Sequence, residues 1–153
     1  MKCFAYGSNL DFSRLLLRCP HATFDCRAVL PDFMLAFTRA NADGRGTAGV
    51  IDKAGSLVWG VVYNIPESDV PNLDRVEGFK PGRKENSYDR KPITVFVDGH
   101  VSQPVGVEVY FARQEDSPPL PTRSYLSLII DGAEHWEFPS DYINWLRTFP
   151  TNS

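Results

Sequence analysis

No run of apolar residues in this chain is long enough for a signal-peptide core or a membrane span. The N-terminal segment Met1-Lys2-Cys3-Phe4-Ala5-Tyr6 meets a Gly-Ser-Asn turn after four residues of apolar or aromatic character. A soluble, cytoplasmic protein is expected, with no membrane partner. Neither sign of charge dominates: 16 Lys and Arg stand against 19 Asp and Glu, for a net charge of −3. The chain therefore has no basic footprint for nucleic acid, and a small molecule is the expected ligand. Cysteine is scarce. Cys3, Cys19 and Cys26 are odd in number, lack a C-x-x-C spacing and lie among apolar neighbours, which predicts buried reduced thiols rather than a disulfide framework. His21, His100 and His135 show no paired spacing such as H-x-x-x-H, so neither a metal site nor a cofactor is expected. Repeats, charge blocks and low-complexity tracts are absent as well. The 153 residues are expected to form one domain, 1–153, long enough to bury roughly two thirds of the unfolded surface.

What the chain does have is concentrated first at its N-terminus. Phe4-Ala5-Tyr6 reads as a short strand that runs into Gly7-Ser8-Asn9-Leu10, with a helix directly afterwards. A strand ending in a small-residue turn lets successive N–H groups converge on one ligand, and a following helix aims its positive end at the same spot. Such a turn suits a carboxylate or a developing oxyanion.

Farther along, turn signals separate many short strands from a few helices. Asp11 to Arg18 is predicted as a helix ended by Pro20, followed by strands at Thr23 to Leu30 and Phe33 to Thr38 around a Pro31-Asp32 turn. Arg39 to Gly46 reads as a loop, and Thr47 to Ile51 with Leu57 to Ile65 as a hairpin across Asp52-Lys53-Ala54-Gly55, with Trp59 and Tyr63 on one face. Ser68 is the predicted cap of a helix that runs to Glu77, with Gly78 ending it in a left-handed conformation. Tyr88 to Val97 and His100 to Phe111 flank Asp98-Gly99, a two-residue hairpin signal. A stiff Pro118-Pro119-Leu120-Pro121 linker precedes a helix from Arg123 to about Asp131 and a last one capped by Ser140. About seven strands and three or four helices predict an α+β fold with a closed or nearly closed mixed sheet.

Four segments in order resemble the γ-glutamylcyclotransferase (AIG2-like) family: Phe4 to Leu10, Val58-Trp59-Gly60-Val61-Val62-Tyr63, Leu73-Asp74-Arg75-Val76-Glu77-Gly78-Phe79, and Tyr125 with Gly132-Ala133 and Pro139-Ser140-Asp141-Tyr142. The resemblance covers nearly the whole chain. It implies a small β-barrel-like sheet with flanking helices, and cofactor-free release of 5-oxoproline from a γ-glutamyl amino acid or amine. In that reaction the substrate's own α-amine attacks its γ-carbonyl. The resemblance further implies that Tyr6, Gly7, Ser8, Asn9 and Leu10 form the substrate loop, that Glu77 is the proton-transferring carboxylate, and that Tyr125 lies beside the γ-glutamyl group. The glutathione-specific branch typically has Tyr-Gly-Ser-Leu, whereas Asn9 follows Ser8 here, which points away from glutathione. His135 stands where the family often has a glutamate. A γ-glutamyl protecting group or a γ-glutamyl-lysine fragment is the alternative substrate.

Other readings of the same residues remain open. A binding module could use the loop without chemistry, although it has no reason to keep a carboxylate such as Glu77 facing a bound carboxylate. Ser8 or a cysteine as a nucleophile would yield free glutamate instead of a lactam, yet Ser8 has neither a Gly-x-Ser-x-Gly elbow nor an evident His partner. Arg39, Arg45 and Arg90 are candidates for holding a carboxylate at the far end of a substrate. The sequence leaves open whether the chain is a monomer or a homodimer.

Overall fold

The computed structural model describes residues 1–152. Five strands close into a barrel in the order β1-β3-β2-β4-β5, where β1 is Lys2–Ala5, β2 Thr23–Ala40, β3 Gly46–Asn64, β4 Tyr88–Val97 and β5 Pro104–Ala112. Four α-helices accompany them: α1 Phe12–Arg18, α2 Val70–Glu77, α3 Arg123–His135 and α4 Ser140–Leu146. The expected α+β barrel with flanking helices is what forms. Closure rests on short contacts, since β1 meets β5 in parallel at Cys3 and Glu108, and β2 meets β4 at only two residue pairs, Ala28 with Val97 and Val29 with Phe96.

The strand count differs from expectation because four predicted strands are two long ones. Phe33 pairs with Asp52 and Pro31 with Leu57, so Asp32 on one side and Lys53 to Ser56 on the other form opposed irregularities within one continuous ladder. The turn signals are real but local. Asp32 has φ 64° and Gly55 φ 83°, and the Gly55 N–H donates to Asp32 Oδ1 at 3.1 Å, which holds the irregularity together while pairing resumes on both sides. The reversal between β2 and β3 comes instead at Asn41 to Arg45, where Asn41 Oδ1 accepts from the N–H groups of Asp43 and Arg45 at 2.9 and 3.0 Å. Asp98 and Gly99 do take positive φ, 50° and 79°, but the Val97 N–H reaches the Gln103 carbonyl at 3.0 Å. That hairpin loop is longer than two residues, and β5 starts at Pro104 rather than His100.

Two predicted caps also differ. Asp69, not Ser68, precedes α2, and its side chain accepts from the His21 N–H at 3.0 Å instead of capping the helix. Ser140 is the first residue of α4, preceded by Pro139, with no side-chain cap. Gly78 does end α2 left-handed, at φ 70°. α3 extends past Asp131 to His135 and is capped by Thr122, whose hydroxyl accepts from the Tyr125 N–H at 3.1 Å.

Trp59 and Tyr63 do share a face, two pleat repeats apart on β3. Tyr63 is fully buried, stacked on Phe12 and edge-on to Trp136, while Trp59 packs on Phe138. This aromatic layer joins β3 to α1 and to the α3–α4 connection. No helix among the described residues is long and apolar enough to cross a membrane.

Candidate active site

The chain leaves β1 at Ala5 and winds through one 3₁₀ turn, Ser8–Leu10, before α1. Two main-chain bonds close this turn, Leu10 N–H to Gly7 O at 3.0 Å and Asp11 N–H to Ser8 O at 3.1 Å. Its outward carbonyls are held from below: the Tyr63 hydroxyl donates to Asn9 O at 2.9 Å and Trp136 Nε1 to Leu10 O at 2.8 Å. The N–H groups of Ser8 and Asn9, at the start of the turn, have no acceptor among the described residues. Gly7 is needed for close approach rather than for an unusual φ, which is −113°; a Cβ there would lie 3.2 Å from the Ala48 Cβ. The predicted helix start does not face the site, because Asp11 caps α1 through the Arg14 N–H at 3.2 Å. α1 supplies Arg14 and Arg18 instead.

Glu77 arrives from the other side, on the last turn of α2. Asp74, one turn earlier, is buried and accepts from Arg90 at 2.9 and 2.8 Å and from the Tyr110 hydroxyl at 2.6 Å. These bonds tie α2 to β4 and β5, and the spacing of three residues puts Glu77 on the same side of the helix. The Asn9 amide donates to Glu77 Oε1 at 3.1 Å, while Arg18 donates to Asn9 Oδ1 at 2.8 Å and lies 3.8 Å from Glu77 Oε1. Only 16% of the Glu77 side chain is exposed. Burial raises its pKa above the usual glutamate value, opposed by the charge of Arg18, the hydrogen bond from Asn9 and the charge of Arg14. The inner cavity wall around Glu77 comes from β1, its loop and a set of tyrosines, while the neighbouring Val76 is half-exposed at the outer cleft.

Two cavities meet at this carboxylate. An inner one of ≈ 50 Å³ is lined by Tyr6, Gly7, Ser8, Asn9, Glu77 and Tyr125, among others. An outer cleft of ≈ 270 Å³ shares Ser8, Glu77, Tyr88 and Tyr125 with it and adds Arg14, Arg18 and Arg39. Tyr125 accepts from the Ala48 N–H at 3.2 Å and is pushed up in pKa by burial, with the Ser8 hydroxyl in hydrogen-bonding reach. Its own O–H thus stays protonated on the wall of both cavities. The Tyr6 hydroxyl is engaged, donating to Tyr110 O at 2.6 Å, so Tyr6 shapes the wall with its ring.

Of the residues singled out in the sequence, Tyr6, Gly7, Ser8, Asn9, Glu77 and Tyr125 converge on one cavity, and Leu10 does not. Leu10 is a buried anchor: its N–H is bonded within the turn, and its side chain packs so closely on α3 that a Cβ on Gly132 would stand 2.5 Å from the Leu10 Cβ. His135 is exposed, edge-on to Trp136, and lines neither cavity. Arg39 lines the cleft, whereas Arg90 is paired with Asp74 and Arg45 is exposed elsewhere. No histidine stands beside Ser8 on either cavity wall, and burial pushes the Cys3 thiol far up, away from the nucleophilic form. Sequence reasoning missed Arg14, Arg18, Tyr88 and Tyr110. The first two carried a signal in their i, i+4 spacing directly after the loop.

Comparison with known proteins bears on the same residues. The family model described as "Gamma-glutamyl cyclotransferase, AIG2-like" matches residues 3–127. The gamma-glutamylcyclotransferase of Mus musculus is 34% identical over 161 residues, covering 97% of this chain and 78% of the mouse protein. The Homo sapiens protein of the same name is 33% identical with the same coverage. A solved structure titled "Gamma-glutamyl cyclotransferase" superposes with a TM-score of 0.87 at 30% identity, covering 100% of this chain and 89% of that one. With the loop after β1 and the carboxylate of α2 both inside the matched span, the chain belongs to the gamma-glutamyl cyclotransferase, AIG2-like family.

Proposed function

We propose that this protein is a cyclotransferase that releases 5-oxoproline from a γ-glutamyl amino acid or γ-glutamyl amine, with Glu77 as the general acid and base. One observation carries the reading. A carboxylate of raised proton affinity lines the same enclosed cavity as the free N–H groups of the Ser8–Asn9 turn and the Tyr125 hydroxyl.

The chemistry needs no enzyme nucleophile. The γ-glutamyl α-ammonium gives a proton to the Glu77 carboxylate, and the freed amine attacks the γ-carbonyl of the same molecule to close a five-membered ring. Holding amine and carbonyl in contact draws on an intramolecular advantage that reaches on the order of 10⁵ M in well-oriented systems. Glu77 passes that proton to the departing nitrogen as the tetrahedral oxyanion collapses and the amide C–N bond breaks. The second proton, which the ring nitrogen sheds on becoming the lactam N–H, also goes to the released amine, which leaves as the ammonium. Proton shuttling of this kind contributes roughly 10² to 10⁴ in rate, and is best served by an acid whose pKa has moved toward neutrality. Two negative oxygens need donors, the transient oxyanion and the substrate's α-carboxylate. The Ser8 and Asn9 N–H groups and the Tyr125 O–H supply them, in a site where losing one oxyanion donor costs on the order of 3 kcal/mol.

The substrate is a small molecule, which suits a cavity of this size and the lack of a basic surface excess. Three thiols without a disulfide, Cys3, Cys19 and Cys26, suit the cytoplasm. Mass spectrometry of products from a panel of γ-glutamyl compounds tests the reading directly. The expected products are 5-oxoproline and the free amine; free glutamate would show hydrolysis instead, and no turnover of any member would leave only a binding role.

A further inference from the structure

The outer cleft holds two cations that the proposed chemistry does not use. Arg18 is engaged by Asn9 and lies beside Glu77. Arg14, one turn earlier on α1, and Arg39, at the end of β2, line the same cleft, and neither forms an ion pair among the described residues. The Arg14 Nε is buried with no hydrogen-bond partner. A buried N–H without an acceptor is rare in folded proteins and marks a place where one belongs. Arg39 lies with its guanidinium 5.7 Å from the Tyr88 ring centroid, and Tyr88 is itself fixed through its hydroxyl on Ala48 O at 2.7 Å. The ring therefore orients the guanidinium, leaving its N–H fork available at the cleft.

The route of the substrate says what these groups would meet. The proposed reaction puts the γ-glutamyl part in the inner cavity, with the scissile nitrogen at Glu77, where the two cavities join. The departing half therefore extends into the outer cleft. If that half is an α-amino acid, its carboxylate is two bonds from the scissile nitrogen and emerges among the arginines. A departing simple amine presents nothing there for a cation to hold. We infer that Arg14 and Arg39 form a carboxylate-reading pair that makes them specificity-determining residues for the departing half of the substrate. The inference rests on the cyclotransferase reading and narrows its substrate to γ-glutamyl compounds whose leaving group carries a carboxylate near the amide. A γ-glutamyl link to a lysine side chain, whose carboxylate lies four carbons farther out, fits the pair poorly.

A matched pair of substrates isolates the effect, because γ-glutamyl-alanine and γ-glutamyl-ethylamine differ only by that carboxylate. The wild-type protein is expected to prefer the alanine compound by about tenfold or more in kcat/KM, the scale of one charge-assisted hydrogen bond. Arg14→Met and Arg39→Met should each erode the preference, and the double variant should bring the ratio close to one. Since the ratio is measured on one preparation, it does not depend on how much of a variant is folded. A wild-type ratio near one, or a ratio that survives the double substitution, overturns the assignment while leaving the cyclotransferase intact. Failure of both compounds to give 5-oxoproline would instead remove the underlying reaction, and the inference with it.

Discussion

Burial makes the Glu77 carboxyl hold its proton more tightly than an ordinary glutamate, and Arg18, Asn9 and Arg14 limit the effect without reversing it. Because the base form must be present to take the first proton, kcat/KM should fall on the acid side with a midpoint above the ordinary glutamate value of about 4.3. A pH–rate profile whose acid limb lies at or below that value would contradict the assigned role. The same shift predicts a sign for stability. A carboxyl whose pKa is raised on folding favours the folded state most below its unfolded pKa, and that contribution is lost as pH rises through the folded value. Tyr125 makes a second test at this scale. Tyr125→Phe removes the hydroxyl from the cavity wall and leaves the Ala48 N–H without its acceptor, so kcat should drop roughly 10²-fold and stability by about 1 kcal/mol. Steady-state kinetics with a denaturant titration separates the two effects; unchanged kcat would make Tyr125 a structural residue only. Gly7, Ser8, Asn9 and Glu77 carried local signals, small residues after a strand and a Glu before a capping Gly, whereas Tyr6 and Tyr125 were singled out only through the family resemblance; all six line the inner cavity. Arg14 and Arg18 were not legible as site residues. Their i, i+4 spacing after the loop marks one helix face, but only the fold brings that face over Glu77.

Glu77 depends on α2 being held, and α2 is short. Its anchor is Asp74, which gathers Arg90 from β4 and the Tyr110 hydroxyl from β5, while the Tyr110 carbonyl receives the Tyr6 hydroxyl beside the loop. One carboxylate thus couples the helix that carries the acid to the barrel wall behind the substrate loop. Asp74→Ala strands a partly buried guanidinium and a buried hydroxyl, and should cost about 3 kcal/mol in a urea titration while lowering kcat through loss of Glu77 placement. A variant as stable and active as the wild type would show that the clamp is dispensable. At this scale the C-terminal end of α2 was readable, since Gly78 is the one residue type that takes φ 70° without strain. The strands were readable in place but not in number. Pro31-Asp32 and Asp52-Lys53-Ala54-Gly55 look like turns in isolation, and only their position opposite one another makes them an irregularity inside a continuing ladder. Caps were the least legible feature: Asp69 stands at the start of α2 but turns its side chain to the His21 N–H, and Ser140 lies within the first turn of α4 rather than before it.

As a whole, the molecule is a barrel with the reactive end at the exit of β1. Three connections converge there: the turn after β1, the C-terminus of α2, and α3, whose Tyr125 reaches the cavity and whose Gly132 lets Leu10 sit tightly beneath the loop. The fold class was legible because a chain of this composition, with many β-branched strands and few helices, has few ways to bury them; closure through single and double residue pairs carries no sequence signal at all. The account stands on proton transfer by Glu77 in this shared cavity. The most direct measurement is 5-oxoproline formation by Glu77→Gln, with substrate binding followed by calorimetry in the same preparation. The account predicts that lactam formation falls by 10² or more, on the scale of lost acid and base catalysis, while a γ-glutamyl ligand still binds and the melting temperature at neutral pH is no lower. Lactam production at the wild-type rate by that variant would contradict it.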